Sequence, residues 1–476
     1  MRDYRQLYID GAWVDAQDGE TVEIINPATE RPVGQIALAT AADVDRAVEA
    51  ARRSFRSFSR VTRQDRIDLL GSILATFAKR HQDLADALVE ELGAPAAFAK
   101  DVQAGVGLLH VRTAIKTLET YVFEHAQGAR TTVRREPIGV IGMITPWNWP
   151  INQIMCKVVP ALATGNSIVH KPSEVTPFTA HIIAEILHEA GVPPGVYNLI
   201  NGTGPSVGAA ISGHAGIDMV SFTGSTQAGI DVAKRAAGNV KRVHQELGGK
   251  SPNIVLDDAD LAKAVTECVY RLLLNSGQTC HAPTRLLVPA AKLEKATELA
   301  VQAVQSIKVG DPNGDVYMGP VVSERQWSRI QTLIREGIAE GATLAIGGEG
   351  RPAGLEKGYF VRPTIFTDVR NDMTIAREEI FGPVLCILSY REVEEAISIA
   401  NDTPYGLAAY VQSATDRRAR EIADRLEAGM VYINGAGEDP EAPFGGYKMS
   451  GNGREWGEIA FGEFLETKAI IHREVA

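Results

Sequence analysis

At 476 residues the chain exceeds a single typical domain, and at about 150 residues each it divides into roughly two to four. Hydrophobic residues make up 45% and charged residues 22%, a balance that buries a sizeable core and excludes wholesale disorder. Lys plus Arg number 48 against 59 for Asp plus Glu, and the net charge of −11 argues against a nucleic-acid binder. No apolar run reaches the ~18 residues of a membrane span. Arg2, Asp3, Arg5 and Asp10 interrupt the amino terminus, so no secretory segment is expected. Cys156, Cys268, Cys280 and Cys386 show no metal-ligand spacing, which suits reduced thiols, a cytoplasmic location and no bound metal.

Along the chain, Thr40 and Asp43 open a helix over 41–58, with Val44, Ala47, Val48, Ala51 and Phe55 on one face. Helices are expected over Arg63–Lys79 and, from Pro95 onward, to Glu119. Then the texture changes to short apolar runs at Ile138–Ile144, Ser167–His170, Val196–Ile200, Met219–Phe222 and Ser251–Val255. Helical patterns such as Thr179–Ala190 and Pro205–Gly213 fill the gaps, which predicts a doubly wound parallel α/β domain. From about 261 to 435 the alternation repeats with other loop chemistry, predicting a second α/β domain. Tyr121–Glu136 reads as a hairpin around Gln127-Gly128, and Phe464–His472 as a late extended run. Exposed strand edges of this kind invite pairing with another copy of the chain.

Several short motifs carry chemistry. Gly202–Gly208 nearly matches the dinucleotide fingerprint GxGxxG but has one residue too many, and reads equally as a tight strand-to-helix turn. Phe222-Thr223-Gly224-Ser225-Thr226 closes a strand and opens a helix, offering N–H donors to a pyrophosphate or merely an N-cap. Cys280, in the polar loop Gly277-Gln278-Thr279-Cys280, is a candidate nucleophile, whereas Cys268 and Cys386 sit in apolar patterns as small hydrophobes. His281 adjoins Cys280, yet chain neighbours usually point apart, so a proton-sharing pair is not expected. Glu246, at a strand end before Gly248 and Gly249, is a candidate general base or a plain ion-paired carboxylate. Asn148, held between Trp147 and Trp149, is a candidate oxyanion donor or part of a packed turn.

Taken together these motifs resemble the aldehyde dehydrogenase superfamily over essentially the whole chain. The resemblance is carried by Asn26–Thr29, Thr145–Pro150, Lys171–Glu174, Phe222–Thr226, Glu246–Gly249, Gly277–Cys280, Glu378–Pro383 and Pro443–Gly446. It implies Cys280 as nucleophile, Asn148 with the Cys280 N–H as oxyanion hole, and hydride transfer to a nicotinamide. Glu246 would activate water against the thioester; relatives that hand the acyl group to coenzyme A generally lack that carboxylate, so hydrolysis is expected.

For the cofactor the resemblance implies NAD. Lys171 and Glu174 match the grip on the adenine-side ribose, where a carboxylate repels the 2′-phosphate of NADP, although some relatives with this motif also accept NADP. Ser225 matches the pyrophosphate contact, Gly204 and Gly208 the adenine end, and Glu379 with Phe381 the nicotinamide ribose. Trp147, Ser173, Phe222, Gly224 and Leu247 complete the cofactor contacts. The substrate tunnel is placed at Trp149, Gln153, Cys156, Leu274, Thr279, His281 and the loop Asn434–Glu441. Cys156 stands where a Trp is common, which argues against an aromatic box for a trimethylammonium group. No Arg aligns with the tunnel, although Arg112 or Lys116 could reach in. A medium-sized aliphatic or aromatic aldehyde is therefore expected.

The implied architecture is a Rossmann-variant cofactor domain (1–120 and 138–247), a catalytic α/β domain (248–450) and a small β oligomerisation element (121–137 and 455–476). That element implies a homotetramer, or a dimer with the same pairing. The alternatives kept open are a thiol esterase using Cys280 without redox chemistry and a non-catalytic NAD-binding member of the fold.

Overall fold

The computed structural model describes residues 1–17 and 19–473; residues 474–476 of the carboxyl-terminal segment lie outside the described residues. Five parallel strands form the centre of an eight-stranded sheet, in the order Arg242–Glu246, Met219–Thr223, Val140–Ile144, Ser167–Lys171 and Tyr197–Leu199. All five are almost wholly apolar or buried on both faces, as a sheet covered by helices on each side requires. Chain order reverses between Val140–Ile144 and Met219–Thr223, so the crevice beyond Ile144 and Thr223 is the topological switch point where ligands of such sheets bind. Antiparallel strands extend both edges: Gln6–Ile9 with Ala12–Asp15 on one side, Gly451–Asn452 on the other.

A second sheet of seven strands has Arg285–Pro289 at its centre, with Pro252–Val255 next to it and then Ala408–Gln412. Its pairings are parallel except for Thr343–Ile346 on one edge. Separate apolar cores cover its two faces, one built on Ile330, Phe366 and Ile375, the other on Val265, Leu272 and Ala300. The chain crosses from the first sheet to the second within Glu246–Pro252, so Glu246 ends its strand at that crossing. A third sheet pairs Leu465–Ile471 with Thr131–Pro137 and Glu124–Gln127, all antiparallel.

The expected helices are present, with instructive departures. Pro95–Glu119 is not one regular helix: Ala96–Phe98 runs into a π-helical stretch at Ala99–Ala104 before Gly105–Thr120. The extra residue of that wider turn accompanies Gln103, which is buried and bonded across to Asn275. Gly204–Gly208 is also π-helical, the wider turn absorbing the residue by which it exceeds the dinucleotide fingerprint. The carboxyl-terminal segment differs too. Only Leu465–Ile471 enters the small sheet, whereas Glu455 and Trp456 pack beside Cys156 and Lys157.

Pro177 precedes the helix Phe178–Glu189 and cannot cap it by its side chain. Glu91, fully buried at the end of His81–Glu91, accepts the Phe178 N–H at 2.6 Å and the Thr179 N–H at 3.0 Å instead. Glu91→Ala should therefore lower stability by about 2 kcal/mol, seen as an earlier urea midpoint. An unchanged midpoint would remove the capping role.

Candidate active site

The loop before Cys280 has an unusual backbone. Asn275, Ser276 and Gly277 take φ of 53°, 58° and 75°, three left-handed residues in a row. Neighbours hold each in place. Asn275 Nδ2 donates to the carbonyl of Asn148 at 2.8 Å, and its Oδ1 accepts from Gln103 Nε2 at 3.1 Å. Ser276 Oγ donates to the Gly319 carbonyl at 2.9 Å. Gly277 touches the Gly382 backbone so closely that a Cβ would lie 2.2 Å from it.

The same contacts aim the candidate side chains. Asn148 is buried, and its Nδ2 donates to the Gln278 carbonyl at 3.1 Å, two residues before Cys280. One N–H of that amide remains for an oxygen brought to Cys280. Trp149 Nε1 donates to Thr279 Oγ1 at 3.1 Å, fixing the indole across the loop. Cys280 itself is half-buried. Burial and then the nearby Glu379 and Glu246 carboxylates push its thiol well above the usual range.

Glu246 ends its strand 3% exposed, and among the described residues neither carboxyl oxygen has a hydrogen-bond partner. Gly445 lies against it: a Cβ there would sit 2.6 Å from Oε1. Burial, with the neighbouring Glu455 carboxylate adding to it, raises Glu246 well above the ordinary carboxylate range. His244 Nε2 stands 3.7 Å from Oε1 and stays neutral, lowered by burial to about 4.

Glu455 and Lys157 behave differently. They form a buried ion pair, 4% and 1% exposed, and Cys156 Sγ donates to the second Glu455 oxygen at 3.2 Å. Burial opposes the Glu455 charge, but the Lys157 ammonium outweighs it and holds the carboxyl below its usual range. Neither residue belongs to a motif that the sequence singles out. Two cells of one signal could have been noticed: a lysine within an otherwise apolar helix, Pro150–Ala163, and a glutamate next to a tryptophan.

The remaining candidates fall into two groups. At the carboxyl ends of the first sheet, Lys171 Nζ donates to Glu174 Oε2 at 3.1 Å, with Lys171 buried and Glu174 partly exposed. Ser173 Oγ caps the following turn at the Val175 N–H. Ser225 opens the helix Thr226–Ala236 and accepts the Ala228 N–H at 3.3 Å. Phe222 is buried beneath Gly224, and Leu247 is buried and tied to the Ser450 carbonyl. Across from them, Glu379 Oε1 accepts the Gly249 N–H at 3.0 Å, and Trp147 meets Phe381 edge-on at 5.3 Å. Burial raises Glu379 to about 7.

These residues fit a dinucleotide. A Cβ at Gly204 would meet nothing within 4 Å, so the backbone there faces open space, and one at Gly208 would touch the Lys171 and Ile144 side chains at 3.8 and 3.9 Å. Beside it stand a helix start, at Thr226, and a ribose-competent carboxylate, Glu174. Among the described residues no group of three His, Cys, Asp or Glu could hold a metal ion, and no helix is long and apolar enough to cross a membrane.

Around Cys280, Cys156, Leu407, Phe444 and Trp456 form an apolar cluster, with Cys280 and Met430 packed on it. The Cys156 thiol faces Glu455 and the Gln153 carbonyl, so this residue lends only its bulk to the wall. Gln153 is buried with its amide oxygen unpartnered among the described residues, and Leu274 is half-buried where the left-handed turn begins. Arg112 is exposed, and Lys116 pairs with Glu441 at 2.5 Å. His281 departs from expectation. Its Nδ1 lies 3.9 Å from the Cys280 sulfur, so these chain neighbours do face each other.

The aldehyde dehydrogenase family model matches residues 13–470. The chain belongs to that family and is an enzyme that oxidises aldehydes to carboxylic acids. It is 54% identical to a 3-succinoylsemialdehyde-pyridine dehydrogenase of a Pseudomonas species, over 100% of both chains. A solved structure of aldehyde dehydrogenase C from Pseudomonas syringae, an alanine variant complexed with NAD+ and octanal, superposes with a TM-score of 0.97. It is 49% identical and covers 98% of this chain and 96% of that one. The Mycobacterium tuberculosis aldehyde dehydrogenase complexed with NAD+ also has a TM-score of 0.97, at 37% identity, covering 100% of this chain and 99% of that one.

The buried ion pair generates a stability prediction. Lys157→Met strands the Glu455 charge and should cost about 3–5 kcal/mol, whereas Lys157→Met with Glu455→Leu should cost much less. Urea unfolding of both variants measures the difference; equal losses would mean that the two charges are not coupled.

Proposed function

We propose that the enzyme oxidises a medium-sized, uncharged aldehyde with NAD and hydrolyses the resulting acyl group from Cys280. The observation that carries this reading is the placement of Glu246. A buried, unpartnered carboxyl stands at the junction of both sheets, close enough for its charge to act on the Cys280 thiol. A buried polar group left without partners is held for a transient one.

Cys280, as thiolate, attacks the aldehyde carbon and forms a thiohemiacetal. The free N–H of the Asn148 amide and the Cys280 backbone N–H meet the oxygen as its charge develops. NAD, when bound, supplies the hydride acceptor. Lys171, Glu174 and Ser225 hold its adenosine and pyrophosphate side, with Ser173, Gly204, Gly208, Phe222, Gly224 and Leu247 shaping the cleft. Glu379, Phe381 and Trp147 fix the other end. Glu246 then takes a proton from the water that attacks the thioester, and the acid leaves.

The wall of Leu407, Phe444, Trp456 and Met430 favours an apolar substrate body, with Trp149 and Thr279 set on the loop above. The loop Asn434–Glu441, placed at the substrate side by the resemblance, carries Glu438, Asp439 and Glu441, which disfavours an acidic aldehyde. The octanal of the Pseudomonas syringae complex and the pyridine-bearing semialdehyde in the other relative's name are both of suitable size. The sheet edges of Glu124–Gln127 and Leu465–Ile471 support pairing with a second copy, as dimer or tetramer. Four free thiols support a reducing, cytoplasmic setting.

NADH absorbance against aliphatic, aromatic, ω-amino and acidic aldehydes, with NADP in parallel, tests the reading. The apolar members should turn over fastest and the acidic ones slowest. Cys280→Ala should reduce turnover by about 10⁴-fold or more. Glu246→Gln should give a burst of about one NADH per subunit and then stall. Because Glu246 acts only when deprotonated and its pKa is raised, kcat of the unaltered enzyme should climb with pH well above the ordinary carboxylate range. A flat profile, or steady turnover in Glu246→Gln, would remove the base. Glu174→Gln should raise the NADP-to-NAD ratio of kcat/KM several-fold, and an unchanged ratio would place discrimination elsewhere.

A further inference from the structure

The oxidation reading leaves one step without a named group: what takes the proton from the Cys280 thiol. Burial, Glu379, Glu246 and Glu455 all oppose a thiolate there, so the charge needs a cation beside it. His281 can become one, and its Nδ1 is 3.9 Å from Sγ. That distance is long, as catalytic hydrogen bonds often are before substrate binds.

The imidazole is held from three sides: its Nε2 meets Glu438 Oε1 at 3.1 Å, Phe444 presses against the ring edge-on at 5.8 Å, and Tyr432 stacks on it at 6.2 Å. The backbone carbonyl of His281 accepts from Tyr410 OH at 2.8 Å. With Nε2 donating to a carboxylate, Nδ1 is the ring's acceptor, and it is Nδ1 that faces the sulfur. Glu438 is fixed in turn. Tyr432 OH donates to its second oxygen at 2.5 Å, and Tyr432 stacks on Tyr410 at 4.9 Å. Arg271 lies over both rings, at 5.1 and 5.2 Å, and donates to the Ala436 carbonyl in the loop that carries Glu438. Burial opposes the Glu438 charge, but a charged His281, Tyr432 and Arg271 outweigh it and bring the carboxyl to about 2, so carboxylate and imidazolium stabilise each other.

We propose that His281 accepts the Cys280 thiol proton at Nδ1 and that Glu438 stabilises the imidazolium, so the nucleophile forms within the free enzyme. The S–H bond breaks, an N–H bond forms, and no electrons change hands beyond the pair left on sulfur. His281 is a catalytic residue in this scheme, and Glu438 is a positioning residue acting through it. Glu438, 39% exposed on its side chain, also opens the imidazolium to solvent for the proton's release.

The proposal rests on Cys280 being the nucleophile, and its test needs neither aldehyde nor NAD. The rate of iodoacetamide alkylation of the full-length enzyme is followed against pH, with Cys280→Ala as the control for the three buried thiols. His281→Gln should move the alkylation limb to higher pH and slow the reaction about tenfold at pH 7. Glu438→Gln, which keeps an acceptor but no charge, should slow it about threefold. Thermal midpoints confirm that each variant is folded, and Glu438→Gln carries the test if His281→Gln is not. An unchanged limb in the folded variants, or one moved only by Glu246→Gln, overturns the proposal. NADH formation by the unaltered enzyme is read separately: its absence would sink the oxidation reading while the alkylation profile still judged the imidazole.

Discussion

Three consecutive left-handed residues, Asn275 to Gly277, are the constraint on which the rest of the site depends. Such conformations cost of order 1–3 kcal/mol at each non-glycine position and persist only where the surroundings over-determine them. Here the surroundings come from both halves of the molecule. Asn148 and Gln103 belong to the segments around the first sheet, Gly319 and Gly382 to those around the second. The turn that presents Cys280 is thus a staple between two α/β units, and its hydrogen bonds are also those that orient the Asn148 amide. Loosening the staple would move Cys280 and Asn148 together. In the proposed mechanism the sulfur and its stabilising N–H keep their mutual geometry because the same strained turn sets both.

A second constraint is electrostatic. Glu246, Glu455 and Glu379 all act on a thiol that must ionise, in surroundings that penalise every charge. The structure separates their states. Lys157 keeps Glu455 ionised; Glu246 has no cation of its own and is raised by burial and by Glu455; Glu379 is tied to a backbone N–H and sits near 7. Carboxyls of the same type in one pocket are so pushed in opposite directions, the condition under which one can serve as a base and another as a fixed charge. Burial and Glu455 both disfavour the Glu246 charge, which lessens its opposition to a thiolate on Cys280.

Where sequence reading succeeded, the signals were local. Each parallel strand is a short apolar run bounded by turn residues, and each motif residue flanks such a run, so the sheet and its carboxyl edge could be read together. What escaped it depends on distance. The strands between Arg2 and Ala37 are short and interleaved with charge, and they exist because they pair with each other and with Tyr197–Leu199. The helix His81–Glu91 begins two residues after Lys79, with only Arg80 between, and no glycine or proline marks the boundary. Lys157 and Glu455 stand 298 positions apart, and each alone is an ordinary charged residue. His281 and Cys280 failed for a subtler reason. Adjacent side chains diverge in a strand or a helix, but this pair sits in a turn that is neither, and Glu438, 157 positions on, swings the ring back.

The two halves of the reaction ask opposite things of a proton acceptor. Forming the thiolate calls for a group that becomes positive, since a cation next to sulfur stabilises the charge being made. Hydrolysing the thioester calls for one that becomes neutral as it takes a proton from water, with no net charge left against the departing thiolate. A single residue cannot be both. The fold supplies one from each side: an imidazole backed by Glu438 and the Tyr432–Arg271 stack of the second sheet, and a carboxyl at the end of the first. Cys280 sits on the staple between them, with the imidazole at 3.9 Å and the Glu246 carboxyl near enough for its charge to oppose a thiolate, so the two acceptors can divide the proton transfers by charge.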